Sequence, residues 1–227
     1  MYYLFIYLMS TVLLFPFEVE LLKREYFNRW YGLKPYFVAM TLKNLPMMII
    51  SCTIFILPTY LLTDQPLTLD RFIRFALTGV LTAATSEGLG LVIGSICSVT
   101  VGAVLSSIIS GPLILFCIYG VGQTAYINFG VQVIMYTSFL RCSFVATLLS
   151  IFADRRPLDC TDEVFCYYGD PERLLKEAGM LNASYGFHML GLIVYLAFFR
   201  IIAFVLLRYR LTSEFSGTFI RYISYKN

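Results

Sequence analysis

The stretch FPFEVELLKREYFNRWYGLKPY, residues 15–36, is a charged, amphipathic island between long apolar runs. Val19, Leu22, Tyr26 and Trp30 recur at spacings of three and four, which places them on one helical face. Glu20 with Arg24, and Glu25 with Arg29, are acid-before-base pairs four residues apart, each favouring helix by roughly 0.2–0.5 kcal/mol. Pro16 and Pro35 bracket the segment. The expectation is a short helix over residues 18–36 lying along a membrane surface, either a docking surface that couples an outside push to the spans, with Glu18, Lys23, Arg24, Glu25 and Arg29 as its charged residues, or a mere connecting helix anchored at the interface.

What surrounds the island is too apolar for a soluble domain. The 227 residues are 59% hydrophobic and 14% charged, with a mean hydropathy of +0.75; a soluble domain has about a quarter of its residues charged. A net charge of +3, scattered along the chain, does not read as nucleic-acid binding. The N-terminus, MYYLFIYLMSTVLLF, has neither a basic region nor a small-residue cleavage site, so it is not read as a signal peptide.

A membrane helix needs about 20 mostly apolar residues. Five segments qualify: about 1–17, 38–62, 75–97, 101–122 and 185–207. The long run from 75 to 140 is split at the turn-prone residues 98–102. Residues 129–152 are apolar but include Arg141, and with Gln123, Thr124, Asn128 and Gln132 nearby they read as a re-entrant or interfacial helical hairpin rather than a sixth span. Residues 153–183 form a polar loop with seven acidic and four basic residues. The expected fold is therefore an all-α polytopic membrane protein, one domain over 1–227, with an external re-entrant segment and loop over 123–184.

Sidedness follows from three signals. Lys23, Arg24, Arg29 and Lys34 in the island and Arg208, Arg210, Arg221 and Lys226 in the tail lie on one side of five spans, and positive-inside makes that side cytosolic. The polar loop then faces outside, where Cys160 and Cys166 are free to oxidise. Asn182-Ala183-Ser184 is a glycosylation sequon on the same side. This topology puts the N-terminus outside and the C-terminus in the cytosol, with nothing upstream to carry the N-terminus across. The chain thus reads as one that lacks at least one preceding span.

FPFE, then Lys23-Arg24-Glu25-Tyr26 and Trp30-Tyr31-Gly32-Leu33-Lys34-Pro35-Tyr36, are followed by Pro46, by Gly90-Leu91-Val92-Ile93-Gly94, by Gly111-Pro112 and by Cys160-x5-Cys166. Arg200-Ile201-Ile202-Ala203 and Leu207-Arg208-Tyr209 close the series. In order and spacing these resemble the ABC-2 type membrane domain of subfamily G, the White-type half-transporters among ABC transporters, over nearly the whole chain. The resemblance covers spans two to six of a six-span domain. It implies a homo- or heterodimer, in a plasma membrane or an endomembrane, driven by a nucleotide-binding domain that holds ATP and Mg. This chain has no G-x-x-x-x-G-K-[ST] loop, and no cofactor, metal site or catalytic residue is expected on it. The resemblance also implies a substrate cavity at the dimer interface, with Tyr3, Ile6, Met9, Leu113, Phe116 and Val121 as its candidates. The sequence departs from the family at residues 141–146, Arg-Cys-Ser-Phe-Val-Ala where the family reads R-Y-G-F-E-G, and at Met40, where a lysine is common.

Two charges fall inside spans. Glu87 is costly at bilayer depth unless paired, protonated or wet, and reads as a helix-contact residue, a substrate-path residue or a buried protonated carboxyl bonded to a neighbouring helix. Arg200, eight residues before Arg208, reads as snorkelling toward the cytosolic face. Gly90 and Gly94, and Ser98, Gly102, Ser106 and Ser110, are small residues at helical spacing and read as close packing surfaces. His188 has no catalytic companions in sequence. The expected function is the membrane half of an exporter of lipid, sterol or another amphipathic substrate; the alternative is a truncated paralogue that only dimerises.

Overall fold

The first helix carries one unbroken buried stripe, and that stripe decides how the island folds. In the computed structural model α1 runs Tyr2–Phe27, with Leu4, Leu8, Val12, Phe15, Val19 and Leu22 all at most 1% exposed. Their spacing of three and four continues straight through Pro16, which lies inside the helix and off the stripe. Residues 18–27 are therefore not a separate surface helix, as the bracketing prolines suggested. They are the last turns of α1.

The break comes at residues 28–32 instead. Arg29 sits in the left-handed region with φ 56°. Its N–H donates to the Tyr26 carbonyl (3.1 Å), and the Trp30 N–H donates to the Glu25 carbonyl (3.3 Å), a Schellman end with arginine where glycine is usual. A non-glycine residue there costs roughly 1–2 kcal/mol. Arg29 is thus outside the helix, so the expected Glu25–Arg29 pair does not form as a helical i, i+4 contact. Trp30, beyond the turn, is 71% exposed and leaves the apolar face to Val19, Leu22 and Tyr26.

The structure describes residues 2–63, 65, 68–118, 130, 133, 135, 137–153, 155, 169–180 and 183–226, with side chains as far as residue 213. Among these the secondary structure is entirely helical: α1, α2 (Leu33–Leu62), α3 (Leu69–Ile96), α4 (Val99–Ile118), α5 (Phe139–Phe152), α6 (Pro171–Glu177) and α7 (Tyr185–Lys226). α2 remains helical through Pro46 and Pro58. Five of the helices, α1 to α4 and α7, are long and apolar enough to cross a membrane. α5 has 14 residues; its rise of about 21 Å is short of a ~30 Å hydrocarbon core. The α3–α4 break at Cys97 and Ser98 falls at the edge of the expected turn. Val121, Cys160, Cys166 and Asn182 lie outside the described residues.

The chain forms two compact units. One comprises Met1–Ser51, Ala83–Ser110 and Leu196–Asn227, the other Cys52–Thr82 and Gly111–Tyr195. In the first, Phe15, Val19 and Leu22 of α1 pack with Leu33 and Met40 of α2, Leu91 of α3, and Ala203, Leu207 and Leu211 of α7. Small residues set how closely the helices approach. A Cβ on Gly90 would lie 2.8 Å from Thr11 Cβ and 3.1 Å from the Leu8 carbonyl oxygen; one on Gly102 would lie 2.8 Å from Val12 Cγ1. Water does not drive helices together in lipid, so this close packing is a main source of association.

In the second unit α5 is fixed by polar contacts. Ser143 and Thr82 of α3 share a hydrogen bond of 2.5 Å, and Arg141 Nη1 donates to the carbonyl of Cys117 in the last turn of α4 (3.1 Å). Arg141 therefore ties the start of α5 to α4. The segment expected as a polar loop contains α6. Asp170 caps its start, accepting from the Glu172 N–H, and Gly179 at φ 69° closes it with a second Schellman end. Leu175, Ala178 and Met180 are buried against Val145 and Leu149 of α5.

Gly90→Ala should lower stability by about 1–3 kcal/mol, because its Cβ meets backbone as well as a side chain. Gly111→Ala, whose Cβ would meet nothing within 4 Å, should be neutral or slightly stabilising through helix propensity. Unfolding midpoints of the two variants in detergent check this.

Candidate functional site

The first unit holds a charged network inside its helices. Glu87 of α3 is 4% exposed. Arg200 of α7 reaches it through Nη2 at 2.6 Å, and Asn44 of α2 donates from Nδ2 to the other carboxylate oxygen at 2.7 Å. Arg200 Nη1 donates to Thr41 Oγ1 of α2 at 3.1 Å, while its Nε is buried without an acceptor. Arg200 does not snorkel as its position in the sequence suggested. A carboxylate within reach offers a fixed partner, and a buried arginine that left it would strand the negative charge. Glu87 is correspondingly the partner of Arg200, a contact between α3 and α7. Nearer the end of the same helices, Arg210 Nη1 of α7 donates to the Ser95 carbonyl in the last turn of α3 at 2.9 Å.

The α1–α2 end has its own polar braces. Lys43 of α2 pairs with Glu18 of α1 at 2.8 Å, with side chains 63% and 35% exposed. The Tyr31 hydroxyl donates to Glu25, and the Tyr31 ring stacks on Tyr36 at 5.9 Å between centroids. Partial burial, then the hydrogen bond to Glu25 and its charge, push the Tyr31 phenol up to about 12. Glu20, Arg24 and Phe27 line the opposite, exposed side of α1's last turns, with Trp30 just past them.

A cleft of about 200 Å³ opens in this unit, lined on one side by Tyr7, Ser10 and Thr11 and on the other by Met40, Asn44 and Met48. Glu18 and Glu87 both reach it. Among the described residues expected to line a substrate cavity, Tyr3, Ile6, Met9, Leu113 and Phe116, none belongs to the cleft or the network. Tyr3, Ile6 and Met9 lie on α1 in the first unit, where Met9 Sδ accepts from Ser106 Oγ at 3.3 Å; Leu113 and Phe116 lie on α4 in the second unit. Asn44 and Thr41 went unnoticed in the sequence, since single polar residues in an apolar run carry no periodic signal. His188, in the first turn of α7, has its Nδ1 buried without a partner and its ring edge-on to Phe187 at 5.7 Å between centroids. Among the described residues no group of three or more His, Cys, Asp or Glu is arranged to hold a metal.

These features define a polytopic helical membrane domain with a charged internal brace and an exposed helix end. The family described as ABC-2 type transporter matches residues 1–152, and the chain belongs to that family. ABC transporter G family member 21 of Arabidopsis thaliana is 26% identical over 205 residues, covering 88% of this chain and 29% of that protein. G family member 26 of the same plant is 26% identical over 210 residues, covering 90% and 29%. G family member 22 is 33% identical over 87 residues, covering 38% and 12%. The chain thus spans under a third of the length of the first two relatives.

Glu87→Gln should cost about 3–5 kcal/mol, because it leaves Arg200 charged and buried. Replacing both by leucine should recover much of that loss. Thermal unfolding of the two variants in detergent, with the wild type alongside, measures the difference.

The stability contributed by Tyr31 should be full below about pH 10 and disappear as pH rises through about 12, since its folded pKa lies above the unfolded value. Ultraviolet titration of phenolate absorbance, wild type minus Tyr31→Phe, should show one phenol that ionises late.

Proposed function

We propose that this chain is the membrane half of an ATP-driven exporter of lipid, sterol or another amphipathic molecule. A nucleotide-binding domain, which carries ATP and Mg, supplies the driving force, and the working unit is a homo- or heterodimer. The observation that supports it best is the division of α1's last turns into two faces. Val19, Leu22 and Tyr26 are set in a core with α3 and α7, while Glu20, Arg24 and Phe27 are exposed. Force applied to the exposed face enters the core without an intervening loop.

In this reading the α1–α2 turn and the end of α7 face the cytosol, in a plasma membrane or an endomembrane, and the N-terminus faces outside. Lys23, Arg24, Arg29, Lys34, Arg208 and Arg210 gather toward that end, consistent with positive-inside. Residues 123–184 are then external, with a Cys160–Cys166 disulfide and a glycan at Asn182. ATP-driven closure would tilt α1 and, through Glu18–Lys43 and the Glu87 network, α2, α3 and α7 with it. Such a shift is limited by how differently ATP-bound domains engage the two states. Tyr3, Ile6, Met9, Leu113, Phe116 and Val121 are the proposed substrate contacts in the dimer.

The test is transport by the chain joined to its ATPase domain in lipid vesicles. Arg24→Ala with Trp30→Ala should leave ATP turnover measurable while efflux of a fluorescent lipid falls at least fivefold. Unchanged efflux per ATP in the double variant overturns the coupling role.

A further inference from the structure

The cleft between α1 and α2 has an uneven chemistry. Most of its side-chain donors are turned inward. The Tyr7 hydroxyl donates to the Met48 carbonyl (3.3 Å), Ser10 Oγ and Thr11 Oγ1 both donate to the Tyr7 carbonyl (3.4 and 2.7 Å), and Asn44 Nδ2 donates to Glu87 (2.7 Å). What remains along the lining is mostly acceptor capacity, the hydroxyl oxygens, the Asn44 amide oxygen and the carboxylates of Glu18 and Glu87, with the Ser51 hydroxyl and one Asn44 N–H as the remaining donors. A carboxylate offers about four lone-pair sites, and Glu87 uses two of them on Asn44 and Arg200. Both carboxylates are balanced, Glu18 by Lys43 and Glu87 by Arg200. The cleft is therefore rich in acceptors without a large uncompensated charge.

Its walls are apolar and adaptable. Met40, Met47 and Met48, with Leu14, Phe15 and the small Ser51, make up the rest of the lining, and methionine fills irregular shapes readily. Met40 and Met48 are buried, whereas Leu14 and Met47 are 63% and 68% exposed. The cleft thus opens among exposed apolar side chains of spanning helices, where the surrounding medium is lipid. A volume of about 200 Å³ is several times the ~30 Å³ share of one water, enough for a small head group and the first carbons of a chain.

We infer that this cleft is a binding site for an apolar molecule with a hydrogen-bond-donating head, a hydroxyl or an ammonium, entering from the bilayer with its tail left in lipid. An acceptor-only head, such as an ester, finds only the Ser51 hydroxyl and the second Asn44 N–H as donors among many acceptors, and a carboxylate meets two others. Because Asn44 and Glu87 belong both to the cleft and to the brace on α3 and α7, an occupant would touch the network directly. The site needs no ATPase, so it can be tested apart from transport.

The experiment is photolabelling of the full chain in nanodiscs. Four diazirine-bearing C18 probes are compared, an alcohol, an amine, an acid and a methyl ester, with the labelled peptides mapped. The alcohol, the amine or both should label α1 and α2 around residues 7–15 and 40–51 at least tenfold more than the ester and acid. Excess unlabelled alcohol or amine should remove that labelling. Which donor probe labels identifies the head group. Ser51→Phe, which adds bulk to the lining outside the charged network, should reduce cleft labelling at least fivefold with an unchanged elution profile. Equal labelling by all four probes, or none on α1 and α2, overturns the inference whether or not Ser51→Phe folds.

Discussion

The ion pair between Arg200 and Glu87 constrains the first unit more than any other contact. Both groups are removed from water, so each is tolerable only with the other in place. That requirement fixes the rotation of α3 and α7 about their axes, since a shift of one residue would turn either side chain away. Asn44 and Thr41 extend the constraint to α2 by occupying a carboxylate oxygen and a guanidinium hydrogen. α3 is the hub on which this converges. Of its apolar window 61% is buried, against 17–28% in the other four long helices. Glycines complete its surface: Gly90 and Gly94 admit Thr11 and Phe15 of α1, and Gly88 admits Phe199 of α7.

The second constraint is the continuity of α1. A helix that ended at Pro16 would leave a hinge between the apolar span and the charged turns after it. The buried stripe instead runs from Leu4 to Leu22, and the helix ends only where Arg29 takes a left-handed conformation. A rigid rod with one end exposed and its flank packed on α3 conveys displacement more directly than a rod joined by a flexible link. The braces at that end are of different strength: Glu18–Lys43 is largely exposed and contributes little, while the network around Glu87 is buried and costly to break.

Much of the architecture was legible in the sequence. Long apolar runs declare spans because an unpaired backbone in hydrocarbon must be helical. The small residues from Gly90 to Ser110 declared packing surfaces, and Gly90, Gly94 and Gly102 do sit at close helix contacts. The Pro16–Pro35 bracket misled, because proline within a helix costs a hydrogen bond but does not cancel an apolar stripe that continues beyond it. The site was less legible. Arg200 and Glu87 could each be seen as costly, yet their partnership spans 113 residues of sequence, and Asn44 and Thr41 carry no signature at all. Arg141, read as a polar intrusion, ties α5 to α4.

By itself the sequence determined the membrane solvent, the number of long apolar helices and the charged, amphipathic island after the first apolar run. Those depend on composition and local periodicity, which a chain carries wherever its helices are placed. The tertiary structure decided which charges meet, where α1 ends, and that a cleft rich in acceptors lies beside α1 and α2. These depend on helix rotation and separation, set jointly by close glycine contacts and by the need of each buried charge for a partner.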